Sequence, residues 1–388
     1  MTRSVNRAGP ARAAPRAPGG GARARSEVIS ATQGDARYEV RVGRGAADAL
    51  PQIAGGHDFV VLVTARPVLR SPVARRAVAG LSRRVPVATT VVLPDGEKGK
   101  TLAELERSAV RLLQAGCTRR TLVVAVGGGA VTDAAGFLAA TFMRGVPWTA
   151  VPTTLLSMVD AAIGGKTAVN LPIAKNAVGA FHPPIAVLCD PAALATLPPR
   201  EVRSGLGEVL KYAALRPALL GRFSRLAGKL PDAGLVADCA RAKVEVVRAD
   251  PEERGERKLL NLGHTFGHGV EAAAGFSGIA HGEAVAVGLV FAFRLAARMG
   301  RVGPLAVAEI EEAARSAGLP SRVPAALARR AARLMGYDKK RTAAGLRWVL
   351  PRARGSSWTV EWDVAAPDEA VDATVGEISV FDSRRRGR

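Results

Sequence analysis

Cysteine is scarce in this 388-residue chain: Cys117, Cys189 and Cys239 are odd in number, widely spaced and set among apolar residues, with no CxxC pair. That excludes a disulfide framework or a thiolate metal site, and it points to buried thiols in a reducing, cytoplasmic compartment. Long apolar runs are missing as well. The stretch 284–293 falls far short of the roughly 18 residues that a membrane span needs. Aromatic residues make up only 4%, which argues against an aromatic-interleaved surface for nucleic acid. Lysine is the rarest of the common charges, ten residues out of 55 bases, so each lysine stands where arginine did not serve.

Acids are also few, and the formal charge is +21. Its location weakens a polyanion-binding reading. Arg3, Arg7, Arg12, Arg16, Arg23 and Arg25 precede the first acid, Glu27, and Arg384, Arg385, Arg386 and Arg388 close the sequence. Residues 1–26, rich in Ala, Pro, Gly and Arg, read as a disordered basic leader. The segment has no apolar h-region and little serine, unlike a secretory signal or a transit peptide.

Among what is present, 48% hydrophobic and 23% charged residues describe a globular chain, long enough for two domains. Short apolar runs at 38–42, 59–64, 87–93 and 121–126 predict strands, and the spacing over 102–115 predicts a helix. This alternation predicts an α/β Rossmann-like domain over 27–197. Beyond Leu197-Pro198-Pro199, helical periodicity dominates, so 198–365 is expected to be a mainly α-helical domain and 366–388 a C-terminal tail.

Strand 121–126 runs into Gly127-Gly128-Gly129 and a helix containing Asp133, a turn that suits a pyrophosphate and equally a ligand-free strand-to-helix corner. Pro152-Thr153-Thr154 offers hydroxyls at the next strand end. Asp160 and Lys166 flank a glycine pair, with Lys175-Asn176 ten residues later; a lysine there reaches a phosphate or simply faces solvent. Three of the five histidines, His264, His268 and His281, fall within eighteen residues, and with Glu208 they form a zinc-type donor set. His264 and His268 share a helical face, and Lys211 shares one with Glu208.

Pro94-Asp-Gly-Glu97 through Thr101, the 127–133 turn, Arg144-Gly145, Pro152 through Leu156, Val159 through Asn170, Lys175-Asn176, Gly205 through Lys211, Asn261 through His268 and His281-Gly-Glu283 together resemble the 3-dehydroquinate synthase family of the sugar-phosphate cyclases, from near residue 38 to Pro351. The resemblance implies an NAD- and zinc- (or cobalt-) dependent lyase that converts 3-deoxy-D-arabino-heptulosonate 7-phosphate to 3-dehydroquinate and phosphate in the shikimate pathway. NAD would oxidise the substrate, phosphate would be eliminated, the hydride would return, and an aldol step would close the ring. The same resemblance implies Glu208, His264 and His281 as metal ligands. Glu97, Lys100, Gly128, Gly129, Asp133, Thr153, Thr154 and Thr196 would line the NAD site, with Lys175 nearby. Asp160, Lys166, Lys211 and His268 would be catalytic, while Asn176, Asn261 and Lys339 or Lys340 would hold the substrate. Lys243 and Arg257 would face its carboxylate, and Arg144 would reach the phosphate of a neighbouring subunit in a homodimer.

Some residues depart from the family pattern. Thr64-Ala65-Arg66 stands where many relatives carry a ribose-binding acid, and an arginine there could admit a 2′-phosphate. The Arg-rich ends match nothing in the family, and the strand-like segment 357–363 lies beyond the resemblance. Rival readings are an aminodehydroquinate synthase, a cyclase of sedoheptulose 7-phosphate or glucose 6-phosphate, a metal-dependent dehydrogenase that releases NADH, and a nucleic-acid-binding protein.

Overall fold

The computed structural model describes residues 26–275, 278–335, 341–342 and 345–380. Residues 1–25 of the expected leader, the last eight residues, and Lys339 and Lys340 lie outside the described residues.

The N-terminal part is built on a twisted sheet of seven strands. β1 (Glu27–Gln33) and β2 (Ala36–Val42) form an antiparallel hairpin in which Tyr38, Val40 and Val42 face inward, alternating with polar residues. Helix α1 (Leu50–Ala54) leads to β3 (Phe59–Ala65), then α2 (Pro72–Ser82), β4 (Val87–Leu93), α3 (Leu102–Gln114) and β5 (Thr121–Gly127). Helix α4 (Gly129–Thr141) precedes β6 (Trp148–Pro152), the separate hairpin β7 (Lys166–Leu171) and β8 (Ala174–Phe181), and β9 (Ala186–Cys189). The sheet order is β1-β2-β9-β6-β5-β3-β4, parallel from β2 onward. Strands β5, β6 and β9 are wholly buried and β3 nearly so, which is why β3, β5 and β9 read as Val-, Leu- and Ala-rich runs rather than alternating ones. Helix α3 starts where the sequence predicts it, because the Thr101 hydroxyl accepts from the Glu104 N–H at 3.2 Å.

From Pro199 the chain is helical: α5 (Pro199–Leu215), α6 (Leu220–Ser224), α7 (Ala233–Ala249), α8 (His264–Ala273), α9 (His281–Arg298) and α10 (Pro304–Ser316). The two-residue strand β10 (Val323–Pro324), α11 (Ala325–Met335), β11 (Arg341–Thr342), the hairpin β12 (Gly345–Arg354) and β13 (Ser357–Ala365), α12 (Asp368–Glu377) and β14 (Ser379–Val380) complete it. Helix α9 is apolar on nearly every side because α5, α8, α10 and α12 surround it. The expected two-part architecture is thus present. The stretch expected as a tail from 366 begins instead with α12, whose Thr374 and Val375 are buried and whose Glu377 pairs with Arg294 at 2.9 Å. Helix α7 packs on β1 and β2 and so joins the two parts along one seam.

Candidate active site

Three helices of the C-terminal part converge. Glu208 comes from the middle of α5, His264 from the first turn of α8 and His281 from the first residue of α9. The Glu208 Oε1 lies 3.1 Å from His281 Nε2 and 3.5 Å from His264 Nε2. Donors on a tetrahedral zinc with bonds near 2.0–2.1 Å stand about 3.3 Å apart, so the spacing fits such an ion with one position left open. Glu208 is fully buried, and its Oε2 makes no aligned hydrogen bond although Lys211 Nζ stands 2.5 Å away. With Oε2 held by Lys211, Oε1 is left facing two imidazole nitrogens, a donor set that suits a cation. Burial opposes charge on both groups, yet Lys211 holds the Glu208 carboxyl well below its usual range, and Glu208 and Glu271 push His281 up to about 10. Burial keeps His264 below its ordinary value. His268, one turn after His264, is exposed, with its ring centroid 5.2 Å from that of His264.

Glycine makes this convergence possible. A methyl on Gly207 would stand 2.6 Å from the Gly282 Cα and nearer still to its carbonyl, and one on Gly282 would stand 2.9 Å from the Ser204 Cα. Helices α5 and α9 therefore cross backbone on backbone, one residue from Glu208 and His281. The Ala280 N–H donates to Glu283 at 3.0 Å and fixes the start of α9.

Beside the triad lies a second cluster. The π turn Ser157–Ala161 carries Asp160, whose carboxylate accepts from Lys243 at 2.6 Å and Tyr212 Oη at 2.7 Å, with Lys211 at 3.7 Å. Burial would raise the Asp160 pKa, but Lys211 and Lys243 outweigh it and hold the group ionised. Lys243 also donates to the Asp160 carbonyl, and burial, reinforced by the charges of Arg257 and Lys211, lowers it to about 8 against the pull of Asp160. Arg257 is entirely buried. Its Nη atoms donate to the carbonyls of Pro251 (2.6 Å) and Gly164 (2.7 Å), while Nε has no partner. Gly164 has φ +90°, and its N–H donates to Tyr38 Oη at 3.1 Å, so the β1–β2 hairpin braces the floor of the site.

Lys166 and Asn261 meet at Glu253, which ion-pairs with the first and accepts from the second at 2.9 Å. Toward the sheet, buried Lys100 donates to Asp133 at 2.7 Å and Asn176 at 2.6 Å, and Asn170 donates to Glu97 at 2.6 Å. Gly128 and Gly129 form the corner between β5 and α4; a methyl on Gly128 would meet Thr154 Cγ2 at 2.8 Å. The Thr153 N–H donates to the Gly127 carbonyl at 2.9 Å, and Thr196 sits exposed with its hydroxyl on the Ala193 carbonyl. Lys175 reaches Glu271 Oε1 at 3.7 Å. Arg144 is exposed beyond the end of α4 remote from Gly129, about 20 Å along a 13-residue helix, so one chain does not bring it to the cluster. Sequence reasoning missed Glu253, Glu271, Tyr212 and Tyr38, which no spacing rule singles out.

The sequence profile described as 3-dehydroquinate synthase N-terminal matches residues 90–204, and the one described as 3-dehydroquinate synthase C-terminal matches 205–341. Among solved structures, 2-deoxy-scyllo-inosose synthase complexed with carbaglucose-6-phosphate, NAD+ and Co2+ is 25% identical over 90% of this chain and 100% of its own, with TM-score 0.79. The 2-epi-5-epi-valiolone synthase of Streptomyces hygroscopicus subsp. jinggangensis 5008, with NAD+ and Zn2+ bound, is 27% identical over 90% and 98%, with TM-score 0.77. Maleylacetate reductase from Rhizobium sp. strain MTP-10005, at 14% identity over 90% and 98% and TM-score 0.61, shares the fold. Among the described residues, no helix is long and apolar enough to cross a membrane.

Proposed function

Because the chain belongs to the 3-dehydroquinate synthase family of sugar-phosphate cyclases, we propose that it converts 3-deoxy-D-arabino-heptulosonate 7-phosphate to 3-dehydroquinate and phosphate, as a cytoplasmic homodimer. One observation carries the choice of an acidic substrate. Lys243 and Arg257 are both buried beside Asp160 and disfavour each other's charge, an arrangement that a substrate carboxylate would relieve.

When bound, NAD would accept and return a hydride, and a divalent ion held by Glu208, His264 and His281 would polarise the substrate oxygen. The chain's own residues then position and neutralise. Lys100, fixed by Asp133 and Asn176, and the bare backbone of Gly128 and Gly129 suit the dinucleotide. Lys166 and Asn261, already gathered on the Glu253 carboxylate, suit the substrate phosphate, with Lys339 or Lys340 expected from the neighbouring segment. Asp160, gripped by two lysines and a tyrosine, keeps Lys211 and Lys243 pointed into the cleft. Burial places Lys100, Lys211 and Lys243 where each charge is worth more than in water.

A second reading has support of its own. Both Arg257 Nη atoms are committed to carbonyls, and the two related structures are cyclases named for inosose and valiolone products. The deciding experiment measures phosphate release with catalytic NAD, with and without EDTA, on four substrates: the heptulosonate phosphate, its amino analogue, sedoheptulose 7-phosphate and glucose 6-phosphate. Release from the first, abolished by EDTA, restored by zinc and without NADH at 340 nm, is the expected result. Release only from one of the others reassigns the substrate, and NADH build-up makes the protein a dehydrogenase.

A further inference from the structure

Helix α8 contributes more to the cleft than its two histidines. Glu271, seven residues after His264 and almost wholly buried, turns its carboxylate toward the start of α9, where Oε2 lies 2.9 Å from His281 Nδ1. Its other oxygen, Oε1, lies 3.7 Å from Lys175 Nζ on β8. The opposite nitrogen of the same imidazole, Nε2, faces Glu208 Oε1 at 3.1 Å. A carboxylate can only accept, so once an ion takes the place of a proton at Nε2, Glu271 holds the remaining proton on Nδ1 and keeps the Nε2 lone pair on the metal.

Resting on the metal reading above, we propose that Glu271 is a positioning residue, which fixes the tautomer and tilt of His281 as a ligand while anchoring that ligand to Lys175 on the cofactor side of the cleft. The alternative, Glu271 as a ligand itself, has some geometric support, since donor atoms of His268, Glu271 and His281 lie within 4.8 Å of one another. It fails on accounting for polar groups. That site would draw His281 Nδ1 away from its present partner and would leave Glu208 Oε1, within 3.5 Å of two imidazole nitrogens, outside the coordination shell.

The test is zinc affinity of the full chain, stripped of metal and titrated against a chromophoric chelator, for the wild type, Glu271→Gln and Glu271→Ala. The alanine variant leaves Nδ1 unsupported. Glutamine can present its NH2 group to Nδ1 and so permit the tautomer that blocks Nε2. Both are expected to weaken zinc 10- to 100-fold, with a drop in the urea midpoint of the metal-free protein too small to account for that loss and with Glu271→Asp recovering part of it. Variants within twofold of a tightly binding wild type would overturn the role of Glu271 and leave the metal reading standing. A metal-free midpoint that falls in step with zinc affinity would overturn it as well, marking Glu271 as structural. A wild type that takes up no zinc would instead remove the metal reading and this proposal with it. Should the alanine variant not fold, the glutamine variant decides.

Discussion

Substituting Gly207→Ala probes how the metal ligands are placed without touching any of them. The added methyl would lie 2.6 Å from the Gly282 Cα, where ordinary contact begins at 3.4 Å, and closer still to the carbonyl, so α5 must withdraw from α9 by close to an ångström or more. Overpacking of this severity belongs at the upper end of its usual range, about 3 kcal/mol, and replacing a helical glycine returns about 1, leaving a net loss of about 2 kcal/mol. The same withdrawal carries Glu208 away from His281, now 3.1 Å apart. Metal sites tolerate departures of only about 0.2 Å in bond length, so zinc affinity is expected to fall at least 100-fold. Urea unfolding of the metal-free protein and chelator competition measure the two losses separately. Gly376→Ala, in α12 with open space around it, serves as the control and is expected to be neutral or slightly stabilising. A Gly207→Ala protein with wild-type stability and wild-type zinc affinity would refute the argument that backbone contact sets this geometry.

Removing the buried carboxylate by Glu208→Ala leaves buried Lys211 with only Asp160, at 3.7 Å, so a stability loss of about 3 kcal/mol is expected in urea unfolding, together with loss of phosphate release. Lys243, at about 8, is charged below that pH and neutral above it; kcat/KM for the heptulosonate phosphate is therefore expected to fall as pH rises past about 8, and a pH profile of Lys243→Met should lack that limb. Lys100→Met removes the cation shared by Asp133 and Asn176 and is expected to raise the KM for NAD more than it lowers kcat, as initial rates at varied NAD would show.

Much of this molecule is legible in its residue pattern. The apolar strands 59–64, 87–93 and 121–126 appear within a residue of their expected bounds; the first and last are buried parallel strands with no polar alternation to misread, and the edge strand 87–93 is marked by its β-branched Val and Thr residues. The Glu208, His264 and His281 set was visible because histidine is rare here and clusters. Strand β1 was less legible, since Val28 on its open face is half exposed and the strand adjoins an Arg-rich stretch. The β7–β8 hairpin shows little apolar periodicity because most of β8 is solvent-facing. Glu271 looks like one more helical acid three residues after His268, and only the fold brings it to a histidine on another helix. Arg257 illustrates the reverse: the resemblance implies its place at the substrate carboxylate, whereas its full burial and its grip on the carbonyls of Pro251 and Gly164 are set by the fold.

The π turn at Ser157–Ala161 sets a limit on how this sequence can change in length. Its Ala162 N–H reaches back five residues to the Ser157 carbonyl, so the turn holds one residue more than an α-helix would. Losing that residue would restore α-helical spacing and swing everything beyond it by about 100°. Asp160, which offers both its carboxylate and its carbonyl to Lys243, would leave its three partners in one step. A single-residue insertion or deletion at 157–161 is therefore expected to undo the Asp160 cluster even where no residue of that cluster is itself replaced.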